Sequence, residues 1–186
     1  LFDTNEEYGV DTSGRLFAAA NFFAQTTGST LSLNTWYWLA LARTSQTGDQ
    51  RIYLESVQDV SLANSTEFGS EATRMELGGA RSDNAGPLPC KLAYPRAWDV
   101  LLTTTEIAAE KNSPTPVKTA NLWADWPLQS DSNDTTANAR HWTPTGITFG
   151  SLGDGPGIAS AAGVVGPLLG GRLVKRGILQ GRLVNA

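Results

Sequence analysis

Apolar residues along this 186-residue chain fall in short runs separated by polar, turn-forming stretches. Arg15 to Phe23 (RLFAAANFF) is an apolar run of strand length. Gln25 to Thr30 (QTTGST) follows as a polar loop with Gly28 at its centre. Thr35 to Ala42 (TWYWLALA) is the most strand-like run. Trp36 and Trp38 alternate with Tyr37, Leu39 and Leu41, so both faces are apolar. Such a strand is buried on both sides, or packs one face and offers the other to a partner. Trp36, Tyr37 and Trp38 are therefore candidate interface residues.

Arg51 to Val60 (RIYLESVQDV) alternates well enough for one half-buried strand. Ala72 to Leu77 and Trp98 to Thr103 predict two more, and Ile147 to Phe149 a short last one. Residues 78–89 carry two prolines and read as a long loop. Thr105 to Lys111 (TEIAAEK) predicts the best helical turn, stopped by Asn112-Ser113-Pro114. Short strands, turns and one brief helix predict a mainly β chain, an antiparallel sandwich of jelly-roll type.

Composition sharpens this picture. Hydrophobic residues make up 40% and charged ones only 17%, with 20 Thr, 14 Ser, 10 Asn and 19 Gly filling the polar positions. That mix favours strands and turns over helices, and it excludes a coiled coil or an acidic disordered tail. A chain of this size can bury roughly 70% of its unfolded surface, so it needs no covalent staple. It begins at Leu1, which reads as a processed product or a fragment. Asp3, Glu6 and Glu7 stand where the apolar core of a signal peptide would lie.

The net charge is −4 but unevenly placed. Residues 1–141 hold ten Lys/Arg against seventeen Asp/Glu, a balance of −7; residues 142–186 hold four against one, a balance of +3. From Gly150 the composition changes, with eight glycines through Gly171 and Asp154 as the only charge there. A boundary near residue 150 is expected, with a β domain over 1–150 and an apolar-then-basic tail over 151–186. Gly157 to Gly171 falls short of the ~20 apolar residues that a membrane span needs. Beyond it, Arg172, Lys175, Arg176 and Arg182 mix with Leu173, Val174, Ile178, Leu179, Leu183 and Val184 at helical spacing. This predicts a basic amphipathic element for contact with an anionic membrane, with phosphates, or with a neighbouring subunit.

Few residues suggest chemistry. His141 and Cys90 are the sole histidine and cysteine, too few for a zinc site and without a nucleophile motif around them. No Ser sits in a G-x-S-x-G elbow. Glu106 and Glu110 would share a helix face, which reads as a solvated face before a glycosidase pair. Gly153-x-Gly155-x-Gly157 lacks the Gly-Lys-Ser/Thr ending of a phosphate loop. Asn64 and Asn133 begin formal glycosylation sequons, as a chain rich in Asn and Thr often shows by chance. Acidic residues Asp3, Glu6, Glu7 and Asp11, and separately Asp131 and Asp134, offer oxygen ligands suited to calcium, though neither set fits an EF-hand. The first four are the candidate calcium ligands. Trp123, Trp126 and Trp142 lie beside loops and are candidate sugar-stacking rings. An enzyme is not expected.

Val10-Asp11-Thr12-Ser13-Gly14-Arg15-Leu16-Phe17-Ala18-Ala19, then Thr26 to Thr30, then Leu33 to Ala42, resembles the closing strands of a tombusvirus-like capsid shell. The resemblance implies a jelly-roll shell, a self-assembling subunit of a non-enveloped icosahedral virion, and calcium held by Asp side chains between subunits. The family's basic N-terminal arm has no counterpart before Arg15. The expectation is thus the C-terminal part of a longer capsid polypeptide, or a divergent small subunit. In composition, the Gly-rich tail is similar to membrane-active peptides of small non-enveloped insect viruses. A carbohydrate-binding β-sandwich is the alternative.

Overall fold

The computed structural model describes residues 6–11, 13–20, 24–44, 48–63, 90–111, 113–144, 148–149 and 178–185. The chain is mainly β and its sheets are antiparallel. β1 (Glu6–Val10), β2 (Arg15–Ala20) and β3 (Ala24–Thr30) form a three-stranded meander. β4 (Trp36–Arg43), β5 (Gln50–Leu54), β6 (Val57–Leu62), β7 (Cys90–Trp98), β8 (Leu122–Asp125) and β9 (Ile178–Asn185) form a six-stranded sheet in the order β6-β5-β4-β9-β7-β8. The single described helix, α1, runs Thr104–Glu110.

The two-faced pattern of β4 decides the layering. On one face, the meander supplies Tyr8, Leu16 and Ala18, joined by Leu31. They meet Ile52 and Val60, with Tyr37, Leu39 and Leu54 packed around them. On the other face, Ala40, Ala42 and Tyr53 meet Ala97, Trp98, Leu102, Ile107, Ala124 and Trp126 under α1 and the segment after it. Both faces of β4 thus pack within the chain, with Trp38, Ala40 and Ala42 buried on one and Tyr37, Leu39 and Leu41 half-buried on the other. Small residues at 40 and 42 make room for the tryptophans, because a close-packed interior balances large against small volumes.

Several expectations change. Residues 25–30 were expected as a loop but belong to strand β3, closed onto β2 by backbone pairing from Ala24 to Thr30. Arg51–Val60 is not one strand but a hairpin, turning at Glu55 and Ser56, which take φ of 52° and 74°. Trp98–Thr103 is not a strand. Trp98 ends β7, and Thr103 caps α1 with a capping box to Glu106. Strand β7 went unforeseen because Pro95 interrupts it. The chain tolerates Pro95 at a bulge, where the register shifts between Ala93 and Arg96 and Tyr94 takes φ 47°. Thr148 and Phe149 are not strand, and the expected strand at 72–77 and the loop at 78–89 lie outside the described residues.

The end of the expected tail is a strand. Ile178–Asn185 pairs with β4 from Trp36↔Val184 to Ala42↔Ile178, and with β7 from Cys90↔Asn185 to Ala97↔Leu179. Helical spacing of its apolar residues was outweighed by the edges of β4 and β7, which between them pair its backbone from Ile178 to Asn185. No described helix is long and apolar enough to cross a membrane.

Candidate functional site

The densest polar chemistry lies in residues 113–142, an irregular segment laid over the α1 face of the large sheet. Four charged side chains hold it there. Glu110, the last residue of α1, is fully buried, and its carboxylate accepts the backbone N–H groups of Val117 (3.1 Å) and Lys118 (2.7 Å). Arg96, also fully buried, donates Nε–H to Asp125 and Nη2–H to the Pro114 carbonyl, and its Nη1 lies 3.5 Å from Glu110 Oε2. Trp98 Nε1–H donates to the Lys118 carbonyl at 2.8 Å. Together these bonds turn the chain back after Pro114 and deliver it to β8.

Burial marks the electrostatics of this cluster. Desolvation pulls the Arg96 guanidinium down to about 10, against the opposing charge of Asp125. Desolvation likewise raises Asp125 above the usual carboxylate value, against Arg96 and Thr135. Both shifts run against the charged forms, so the pair fixes geometry more than it adds stability.

Asp134 is the second anchor. Its carboxylate accepts from the backbone N–H groups of Asp125 (3.0 Å), Thr136 (2.8 Å) and Arg140 (2.9 Å), and from Thr136 Oγ1 (2.8 Å). Four donors fill the roughly four lone-pair sites a carboxylate has, leaving none for calcium. Its own N–H donates to His141 Nδ1 at 3.1 Å, so His141 serves as an acceptor in the loop. Asp131 closes a local turn through Asn133 N–H (3.0 Å).

The three candidate sugar-binding tryptophans do come together, but as packing. Trp126 is 1% exposed, with Nε1–H donated to the Arg140 carbonyl at 2.6 Å, and so is a core residue rather than a sugar platform. Trp123 and Trp142 meet it edge-on, at 6.1 Å and 68° and at 5.0 Å and 87°. The Arg140 guanidinium stands 4.2 Å over the Trp123 ring, taking a face that a sugar would need.

The remaining candidates are scattered. Trp38 is 1% exposed, inside the chain rather than at its surface. Trp36 packs on Ala93 and Tyr94, and Tyr37 accepts the Ser32 N–H at 3.0 Å. Asp11 accepts from Ser13 and Arg15 N–H at 2.8 and 2.9 Å, the task of an Asx turn. Asp3, Arg172, Lys175 and Arg176 lie outside the described residues, while Glu6 and Glu7 belong to β1 and Arg182 to β9. Cys90 is partly buried, and desolvation pushes its thiol up to about 11. Glu106 and Glu110 do not act as a pair. Glu106 caps its helix and binds Lys118, while Glu110 faces inward.

Sequence reasoning missed Arg96, Asp125 and Asp134 as a group. The available signal was Pro95-Arg96 inside an apolar strand and Asp125 between two tryptophans, charges with no solvent to face. No protein-family model, curated protein or solved structure matches this chain.

Proposed function

We propose that the chain is a structural subunit that assembles with copies of itself, as in the capsid of a non-enveloped icosahedral virus. One observation carries this reading: the charged side chains best placed for chemistry are spent on fixing an irregular surface. Arg96, Glu110, Asp125 and Asp134 each bind backbone groups or one another across residues 113–142. A rigid, stapled, low-charge surface suits repeated contact with identical neighbours, whereas a substrate site needs groups left free to face a ligand. The strand pattern over residues 10–42 that resembles a capsid shell supports the same reading, and two antiparallel sheets packed face to face are compatible with it. The partners are further copies of the chain, in a virion, with calcium at subunit contacts and anionic membrane or genome at Arg172, Lys175 and Arg176 as additional partners.

Sedimentation velocity and negative-stain microscopy test this reading. The purified chain is expected to form discrete oligomers or closed particles between pH 5 and 8, in calcium or chelator. A 19.8 kDa monomer under every condition overturns it.

A further inference from the structure

Residues 140–142 run back along residues 132–134, and each of the three is bonded to that outgoing stretch. Arg140 N–H donates to the Asp134 carboxylate at 2.9 Å. Trp142 N–H donates to the Ser132 carbonyl at 3.1 Å, and Ser132 Oγ–H donates to the Trp142 carbonyl at 2.9 Å. His141 holds the middle of this seam, its Nδ1 accepting the Asp134 N–H at 3.1 Å. Nδ1 accepts only while its lone pair is free, so the latched ring is neutral and carries its proton on Nε2. An imidazolium has an N–H on both nitrogens and offers no acceptor in any orientation. Protonation therefore sets donor against donor and leaves the N–H of Asp134, a buried residue, without its partner.

His141 itself is exposed, so protons reach it from solvent. Histidine is also the side chain that ordinarily exchanges its proton between pH 5 and 8. The charged groups of the two arms are Asp131, Asp134 and Arg140, with Asp125 bonded to Asp134 through its N–H. Arg96 balances Asp125, and Arg140 balances one of the two arm carboxylates. The net field is thus about one negative charge, screened at a solvent-facing ring, and it returns no acceptor to the Asp134 N–H.

We propose that His141 is a proton-operated latch: neutral, it closes residues 140–142 onto 132–134; protonated, it releases them. Release takes the Arg140 carbonyl from Trp126 Nε1–H and parts Trp142 from Trp126, so acid uncovers aromatic surface. The latch works within one copy, and its test does not depend on assembly.

Hydrogen exchange of the full chain, read by mass spectrometry over residues 132–142 and corrected for the intrinsic effect of pH, measures the opening. Exchange is expected to rise about fivefold from pH 8 to pH 5, the worth of one hydrogen bond. In His141→Asn, whose Oδ1 accepts at every pH, the corrected rate should stay level. An equal rise in both proteins, or no rise in wild type, overturns the latch. Nitrogen NMR of the sole imidazole decides without any variant. An unprotonated Nδ1 at pH 8 is expected, and a proton on Nδ1 at that pH overturns the inference.

Discussion

Glu55 binds Trp38 twice: its backbone N–H donates to the Trp38 carbonyl at 2.9 Å, and its side-chain Oε1 accepts the Trp38 N–H at 2.7 Å. The carboxylate thereby supplies a rung of the β4–β5 ladder that the backbone, already turning into β6, cannot. The second oxygen reaches Lys111 Nζ at 2.8 Å, tying the hairpin to the end of α1. Holding this position takes Glu55 and Ser56 into the left-handed region, which favours Asn and Gly in a two-residue hairpin.

Ser56→Gly is therefore expected to stabilise the chain by about 0.5–1 kcal/mol, because glycine adopts φ 74° without a Cβ penalty. The change also removes a buried hydroxyl that has no hydrogen-bond partner. Glu55→Ala is expected to cost about 1–2 kcal/mol by leaving the Trp38 N–H without its acceptor. Urea unfolding of both variants checks the pair. A destabilised Ser56→Gly would show that the turn is not strained.

How much of this was readable in advance follows from the range of each interaction. β2, β4 and α1 were legible, because the apolar run from Arg15, the alternation of Trp36–Arg43 and the Thr105–Lys111 run stopped by Asn112-Ser113-Pro114 are local signals. β3 was not, since Gln25–Thr30 has turn composition and becomes a strand only by pairing with β2. β9 was not, since its role is set by edges more than 80 residues away in sequence. At the candidate site, the tryptophans were visible as types, but which ring faces were free depended on Arg140 and Trp126. The Arg96–Asp125 pair spans 29 residues and has no local signature.

Replacing Arg96 with Met should cost about 3–5 kcal/mol, because Asp125 and Glu110 would be left buried without their counter-charge. Lys at this position is expected to recover only part of the loss, lacking the fork that reaches Asp125 and Pro114 together. Urea midpoints check the order wild type, Arg96→Lys, Arg96→Met. Equal stability of all three would show that the cluster contributes nothing to the fold.

Acid should weaken the start of α1. Glu106 is pulled down to about 2, first by the Lys118 side chain and then by the Thr103 N–H, from an ordinary value of 4.5. A carboxyl with a depressed folded value binds fewer protons folded than unfolded. Its contribution is fully present above about pH 4.5 and is lost as pH falls toward 2. Because the group is near the surface, solvent and salt screening keep the effect small. Glu106→Gln is expected to flatten this part of the stability profile while leaving the profile above pH 5 parallel to wild type. Thermal melts from pH 2 to 7 check it, and an unchanged slope between pH 2 and 4.5 would remove Glu106 from the acid response.

The last prediction concerns how the two sheets are locked. Asp59 on β6 reaches across to β3, accepting Ser29 N–H at 2.7 Å on one oxygen and Ser29 Oγ–H at 2.6 Å on the other. This close approach is possible because Gly28 has no side chain. A methyl group at Gly28 would overlap Asp59 Oδ2 and come within 2.6 Å of Val60 Cγ2. Gly28→Ala must then push Asp59 off Ser29 or part the strands, at a cost of about 1–3 kcal/mol. Asp59→Ala alone loses two charge-assisted hydrogen bonds at an exposed site, about 1–2 kcal/mol. In the double variant the clash with the carboxylate is gone, so the two costs should sum to more than the measured total by 0.5 kcal/mol or more. A full thermodynamic cycle by urea unfolding measures this coupling. Strict additivity would mean that Gly28 and Asp59 act independently, and that β3 is held to β6 by the apolar layer beneath them alone.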